Sequence, residues 1–348
     1  MGRIPVLDVW PLVSAGQRPV KAVINEVFAV SATVFREGHD AVAAEAILTS
    51  PAGTDTQRIR MVQVGQGTDR FEVQIALPEQ GLWHYRIEAW SDVIGTWLHH
   101  VHVKIPAGVD VELEFAEGAL ILDRIIPDAD RDDAALLTAL RKDLLDASLP
   151  AAHRLERIEA ATVQAALGRH PIRELVSSYG PYPVLVERTR ALYGSWYEFF
   201  PRSEGAVRRK DGTWQSGTFK TAAKRLPAVA AMGFDVLYLP PIHPIGVSFR
   251  KGPNNTLTPG PGDPGSPWAI GSKHGGHDAV HPDLGTMKDF AAFIKEAGRL
   301  GIEIALDLAL QASPDHPWVT AHPEWFTTRA DGSIAYAENP PKKYQDIY

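Results

Sequence analysis

The chain has 348 residues, enough for two or three domains, and 45% of them are apolar, enough for sizeable cores. A formal net charge of −7 argues against nucleic acid or an anionic membrane as partner, and the absence of cysteine excludes disulfides and thiolate metal sites, in keeping with a reducing compartment. The N-terminus lacks the apolar core of a signal peptide and no run reaches the ~20 apolar residues of a membrane span, so a soluble cytoplasmic protein is expected.

Residues 1–112 read as all-β. Phe28, Val30, Ala32 and Val34 alternate with Ala29, Ser31 and Thr33, and a turn follows at 36–40. Further strands are predicted at 46–48, at Phe71, Val73, Ile75 and Leu77, at Trp83, Tyr85, Ile87 and Ala89, and at Trp97, Val101, Val103 and Ile105. Short period-2 strands between turn residues predict an antiparallel β-sandwich, immunoglobulin-like in outline. On the last of these strands His100 and His102 share a face, with His99 adjacent. Nothing nearby supplies a third ligand, so a sheet-packed or solvated face is expected there and no metal site.

Across 113–185 the period changes to that of a helical insert. Acids at 130–133 precede the stripe Leu136, Leu137, Leu140, Leu144 and Leu145, and Pro150 breaks it. A second helix is predicted over 151–167, and His170-Pro171 is expected to start a shorter third. Such an insert buries one face on its host and offers the other to a second subunit, so a homodimer is expected.

Residues 186–348 read as βα units, with a first strand expected within 190–200. The basic run at 208–210 falls in a polar hairpin with Asp211-Gly212 and reads as a solvated loop. A helix over 217–232 ends at Gly233, and Val236, Leu237, Tyr238 and Leu239 form an apolar run too short for a helix and stopped by Pro240-Pro241. A helix over 286–300 ends at Gly301, and a second buried strand follows from Ile302. Helices alternating with apolar strands predict a parallel sheet, whose chemistry sits past the strand ends, here at Asp307 and Gln311.

Four motifs resemble the α-amylase superfamily of (β/α)8 barrels: Phe199-Phe-Pro-Arg202, Gly233-Phe-Asp-Val-Leu-Tyr-Leu-Pro-Pro-Ile-His-Pro244, His281-Pro-Asp-Leu-Gly-Thr-Met-Lys-Asp-Phe290 and Gly301-Ile-Glu-Ile-Ala-Leu-Asp-Leu-Ala-Leu-Gln311. Three more resemble, within it, the α-1,4-glucan:maltose-1-phosphate maltosyltransferases: Ile245-Gly-Val-Ser-Phe-Arg-Lys-Gly-Pro-Asn-Asn255, Asp307-Leu-Ala-Leu-Gln-Ala-Ser-Pro-Asp-His-Pro317 and Asn339-Pro-Pro-Lys-Lys-Tyr-Gln-Asp346. Gln311 and Ala312 stand where amylases usually carry Asn and His, and His277 where they carry a Tyr that stacks under the reacting sugar. Both departures point to the narrower family.

The resemblance implies an N-terminal β-sandwich with a helical insert and then the first three strands of a (β/α)8 barrel. It also implies retaining transfer of maltosyl units from α-maltose 1-phosphate to the non-reducing end of α-1,4-glucans. Two carboxylates about 5–5.5 Å apart would work in two displacements, with no metal and no organic cofactor. In the family those carboxylates follow the fourth and fifth barrel strands. The stretch from 190 to 348 is well short of the about 250 residues a barrel takes. No catalytic residue is therefore expected in this chain, which reads as an N-terminal half, inactive alone. By resemblance Lys251, Gln311 and Asp346 contact the maltosyl unit with Asn255 as neighbour, and Asn339, Lys342 and Tyr344 belong to the loop facing the phosphate. Asp307 is expected to orient its surroundings, and His243 either packs or touches sugar. Two alternatives remain: another α-glucan hydrolase or trehalose-forming enzyme, or a non-catalytic glycan-binding module built on Trp10, Trp83, Trp90 and Trp97.

Overall fold

A computed structural model describes residues 2–65 and 67–348, and the chain divides into two compact units, 1–192 and 193–348. The first unit runs β1 (Val6–Trp10), β2 (Val20–Val23), β3 (Val27–Val34), β4 (Val42–Thr49), β5 (Asp55–Arg60), β6 (Val62–Gln63), β7 (Arg70–Ala76) and β8 (Gly81–Asp92). Five helices follow, α1 (Val93–Ala107), α2 (Val111–Ile125), α3 (Arg131–Leu144), α4 (Ala151–Glu159) and α5 (Ala161–Arg169), and then β9 (Arg173–Glu187). The strands form two sheets, ordered β1-β3-β7-β6 and β2-β9-β8-β4-β5. Period-2 patterning accounts for them: Val30, Ala32, Phe71 and Ile75 of one sheet share a core with Ala44, Ala46, Trp83, Tyr85 and Ile87 of the other. All pairings are antiparallel except β2 with β9.

Three sequence expectations are corrected here. Trp97, Val101 and Ile105 lie on α1 rather than on a strand. The buried set Ile94, Trp97, Val101 and Ile105 has helical spacing, and Asp92 caps the helix by accepting from the Gly95 amide at 3.1 Å. The apparent alternation came from Val103, which faces solvent. On a helix His100 and His102 cannot share a face, and His102 pairs with Glu159 at 3.2 Å. The helix predicted over 151–167 is two, α4 and α5, parted at Ala160 in an extended conformation (ψ 129°). Instead of a third helix, His170-Pro171 opens β9. Proline disfavours the α-region for the residue before it, and 173–187 gains a full ladder against β8.

The helices share their own core, with Trp97, Phe115, Leu122, Leu137, Leu140 and Ile158 at its centre. Gly118 is set against Trp97 so closely that a Cβ would lie 2.2 Å from its ring, which is held by an indole bond to the Glu114 carbonyl (2.9 Å). Gly118→Ala should therefore destabilise this unit by about 1–3 kcal/mol through overpacking, partly offset by alanine's better helix propensity. A lowered melting temperature by circular dichroism checks it.

The second unit runs β10 (Trp196–Glu198), β11 (Val207–Arg208), β12 (Trp214–Gln215), α6 (Phe219–Ala222), α7 (Leu226–Ala231), β13 (Val236–Leu239), α8 (Met287–Arg299), β14 (Glu303–Leu306), α9 (Pro317–Ala321), β15 (Ala337–Asn339) and β16 (Lys342–Tyr344). Strands β10, β13 and β14 form a parallel sheet in that order, and the basic run lies in the β11–β12 hairpin. The helix expected over 217–232 is α6 and α7 joined by a tighter turn, with Pro227 in the first turn of α7. Thr218 and Thr286 open α6 and α8 with capping boxes, and Gly233 and Gly301 (φ 86° and 77°) let the chain turn into β13 and β14. Phe219, Leu226, Phe290 and Phe293 cover the sheet. Past β14, Leu308 and Leu310 project into solvent, and β14 has no strand on its outer side among the described residues. No helix of the described residues is long and apolar enough to cross a membrane.

The fold is thus multidomain, with a β-rich unit carrying helices and an α/β unit.

Candidate functional site

The parallel sheet delivers its loops to one region. Val236, Leu237 and Leu239 anchor β13 in the core, and the loop from Pro240 to the start of α8 carries His243, Lys251, Asn255 and His277. Asp307 is the first residue past β14, and Gln311 lies four further on. A backbone pair between Ala312 and Tyr348 (3.3 and 2.6 Å) brings the segment with Asp346 alongside.

There Lys251 and Asp346 meet, 7% and 4% exposed, with Nζ 3.7 Å from Oδ1. That separation is an ion pair but too long for a hydrogen bond, and Oδ1 has no hydrogen-bond partner among the described residues. Gln311 is half-buried next to the Ala312–Tyr348 pair. Asn255 stands exposed in left-handed backbone (φ 61°) on the Lys251 loop.

Asn339, Lys342 and Tyr344 lie on the β15–β16 hairpin, with Asn339 opposite Lys342 at its end. Lys342 Nζ sits 5.1 Å from the Tyr344 ring centre. Lys343 and Arg329 flank Tyr336, and hydrogen bonds from Lys343 and then Arg329 hold its phenol below the ordinary range, with their charges adding to this. The hairpin tip is thus cationic and exposed. It runs directly into Asp346, so the two clusters share one segment.

Asp307 accepts from the Trp268 indole at 2.8 Å. Tyr238 has its hydroxyl pushed towards higher pKa by burial and then by its bond to the same carboxylate. His243 donates from Nδ1 to the Ala279 carbonyl (3.0 Å), and burial lowers its pKa. His277 bonds the Ala309 carbonyl (2.7 Å) and His316 (3.0 Å), with one face stacked on Trp318 at 5.3 Å. Asp315 takes the amides of Val247 and Ser248 (2.6 and 2.7 Å) and the Ser248 hydroxyl (2.6 Å), pinning the start of the Lys251 loop.

His316, Trp318, Trp268 and Asp315 escaped the sequence reading. The signal was present for His316, which sits within the quoted run 307–317, opposite the glycine-rich loop around His274. A grouping of Asp130, Asp133 and His170 has metal-like spacing, yet Arg169 binds both Asp133 oxygens (2.8 and 2.6 Å) and Asp130 caps α3. Ion pairing and capping account for it. An open surface hollow of about 380 Å³, lined by Glu204, Gly205, Thr221, Lys224 and Arg225, involves none of the candidate residues.

Burial holds His316 at a pKa of about 4; repulsion from His277 adds to this, Asp278 pulls the other way, and His243 adds a smaller repulsion, while burial lowers His281 too. An unfolded imidazole takes up a proton near pH 6.5 that folded His316 refuses. Stability of the second unit is therefore fully present above about pH 6.5 and should fall as pH drops towards 4, by on the order of 3 kcal/mol for His316. Urea unfolding at pH 7.0 and 4.5 measures the difference.

The family model described as alpha-1,4-glucan:maltose-1-phosphate maltosyltransferase, domain N/S, matches residues 2–188. Alpha-1,4-glucan:maltose-1-phosphate maltosyltransferase 1 of Streptomyces coelicolor is 58% identical across all of this chain and 51% of its own length. The enzymes of that name from Corynebacterium pseudotuberculosis and Mycobacterium tuberculosis are 48% and 45% identical, again across all of this chain and 52% and 53% of their own lengths. The chain spans about half the length of the curated relatives it matches. Among solved structures, the noncanonic maltogenic alpha-amylase AmyB from Thermotoga neapolitana is 32% identical at a TM-score of 0.31, over 40% of this chain and 28% of that one. On the match across 2–188, the chain belongs to the alpha-1,4-glucan:maltose-1-phosphate maltosyltransferase family.

Proposed function

We propose that the second unit holds the donor side of an enzyme that transfers maltosyl units from α-maltose 1-phosphate to the non-reducing end of α-1,4-glucans, releasing phosphate. One observation carries this: the buried Lys251–Asp346 pair, whose carboxylate oxygen is left without a hydrogen bond. An orphaned buried oxygen is costly, and so is a buried ion pair held slightly too far apart. A sugar hydroxyl satisfies both at once, donating to Asp346 and accepting from Lys251. Gln311 adds an amide that can do either, and the cationic hairpin of Lys342 supplies a point charge for the phosphate, with Asn339 and Tyr344 as neutral donors.

The chemistry is a retaining double displacement. One carboxylate attacks C1 as phosphate leaves with a proton from a second carboxyl group; the acceptor's 4-hydroxyl then displaces the first carboxylate from C1 of the β-maltosyl intermediate and gives its proton back to the second. Asp307 is not that nucleophile, since Trp268 and Tyr238 occupy it; it orients the strand end. His243, with Nδ1 bonded to the backbone, keeps Nε2 as an acceptor for a sugar hydroxyl. In this reading β10, β13 and β14 are the first three strands of a (β/α)8 barrel, supported by their parallel order with helices between them, and the two-sheet sandwich of β1 to β9 is immunoglobulin-like. The helical insert α1 to α5 makes a homodimer contact, supported by exposed Leu113 and Leu120 seven residues apart on α2; light scattering tests it.

The full-length gene product, given α-maltose 1-phosphate and a maltooligosaccharide, should release phosphate as the acceptor grows by two glucose units per event. Hydrolysis or trehalose formation without phosphate release would instead indicate the other α-glucan enzymes. A glycan-binding module has less support, because Trp83, Trp90 and Trp97 are buried and only Trp10 of the four is exposed.

A further inference from the structure

Three hydrogen bonds in the second unit run in series and have only one consistent direction. The Trp318 amide lies 3.0 Å from His316 Nδ1, His316 Nε2 lies 3.0 Å from His277 Nδ1, and His277 Nε2 lies 2.7 Å from the Ala309 carbonyl. An amide N–H only donates and a carbonyl only accepts. His316 Nδ1 must therefore be bare, so its proton is on Nε2 and is given to His277 Nδ1. His277 in turn carries its proton on Nε2 and gives it to Ala309. Both rings are neutral. A second proton on His316 would point at the Trp318 N–H, and one on His277 would point at the His316 N–H.

The surroundings are built to hold this arrangement. His316 is 2% exposed, and two glycines are wrapped against it: a Cβ at Gly276 would lie 2.0 Å from His316 Nε2, and one at Gly271 would lie 2.5 Å from its Cδ2. The His277 ring cannot swing out, because Trp318 stacks on it at an interplanar angle of 7° and Trp325 in turn buttresses Trp318 edge-on at 5.2 Å. The titratable groups facing His316 are His277, His243 and Asp278.

We propose that His316 is a positioning residue: it locks His277 as the Nε2–H tautomer and, through His277, fixes the backbone at Ala309, midway between Asp307 and Gln311. It rests on the donor-site reading only for the meaning of those two side chains. One face and both nitrogens of His277 are engaged by Trp318, His316 and Ala309.

Long-range proton–nitrogen correlation spectra of the chain labelled with ¹⁵N-histidine and ¹⁵N-tryptophan test this. In the native chain His277 and His316 should both appear as neutral Nε2–H tautomers at pH 6. His316→Asn keeps an oxygen to accept from Trp318 but removes the donor to His277. In that variant His277 should mix tautomers, and the Trp268 indole resonance, which reports the Asp307 position, should shift. Affinity for maltose should fall about tenfold. A space-filling role alone would leave the His277 tautomer and the Trp268 signal unmoved, and that result overturns the proposal. If the variant does not fold, the native spectra decide, since an Nδ1–H His277 is incompatible with the relay. Native tautomers as expected with no maltose binding would uphold the relay and remove the donor-site reading instead.

Discussion

Lys251→Met is expected to destabilise the second unit by about 3–5 kcal/mol at pH 7, because it leaves the Asp346 carboxylate buried without a counter-charge. The double variant Lys251→Met/Asp346→Leu should recover most of the stability, because two apolar side chains of similar volume can replace a buried pair at little cost. Ligand binding should separate the two roles. If the pair exists for the sugar hydroxyl, the double variant folds like the native chain and binds no maltose. Native affinity in a stable double variant would show that the pair only supports the fold. Urea unfolding and calorimetric titration on the same material give both answers.

The second large effect concerns what reads the phosphate. A phosphate at C1 is all that separates the donor from maltose, so a residue that touches it should matter more for the phosphorylated sugar. Lys342 is exposed at the end of the β15–β16 hairpin, so its ammonium is reachable by an anion and its removal strands no buried partner. Losing a charge-assisted contact costs roughly 1.5–3 kcal/mol, about ten- to a hundredfold in affinity. In the full-length gene product, Lys342→Ala should weaken α-maltose 1-phosphate by that factor and leave maltose nearly unchanged. Gln311→Ala should weaken both alike. Equal losses for the two ligands in Lys342→Ala would mean the hairpin does not face the phosphate.

The parts legible in the sequence were those where one periodicity dominated. β3, β7, β8, β13 and α8 each carry a clean run of apolar residues, and each stands near where the pattern put it. The α1 segment misled because Val101, Val103 and Ile105 alternate as a strand would, while Ile94, Trp97, Val101 and Ile105 decide the burial. β9 was hidden because its inward residues are interrupted by Gly180 and by Pro181 and Pro183, and its pairing with β8 is a contact over a long sequence separation. In the site, motif resemblance located Lys251, Gln311 and Asp346 individually, and the structure put the first and last side by side. The relay through His316 could not be read from spacing. It depends on two segments far apart in sequence meeting, the loop before α8 and the stretch after β14, and on glycines that leave room for a ring.

The open side of β14 has a consequence for how this unit behaves in solution. β14 is an edge of its three-stranded sheet among the described residues, and Leu308 and Leu310 stand exposed past its end. Leucines so exposed are adhesive: the apolar side chains of another copy can cover them, and removing that surface from water favours the contact. Self-association of the second unit should therefore grow steeply with concentration. Added salt should not dissolve it, since the contact is apolar rather than ionic. One lysine in place of Leu308 would be the natural gatekeeper.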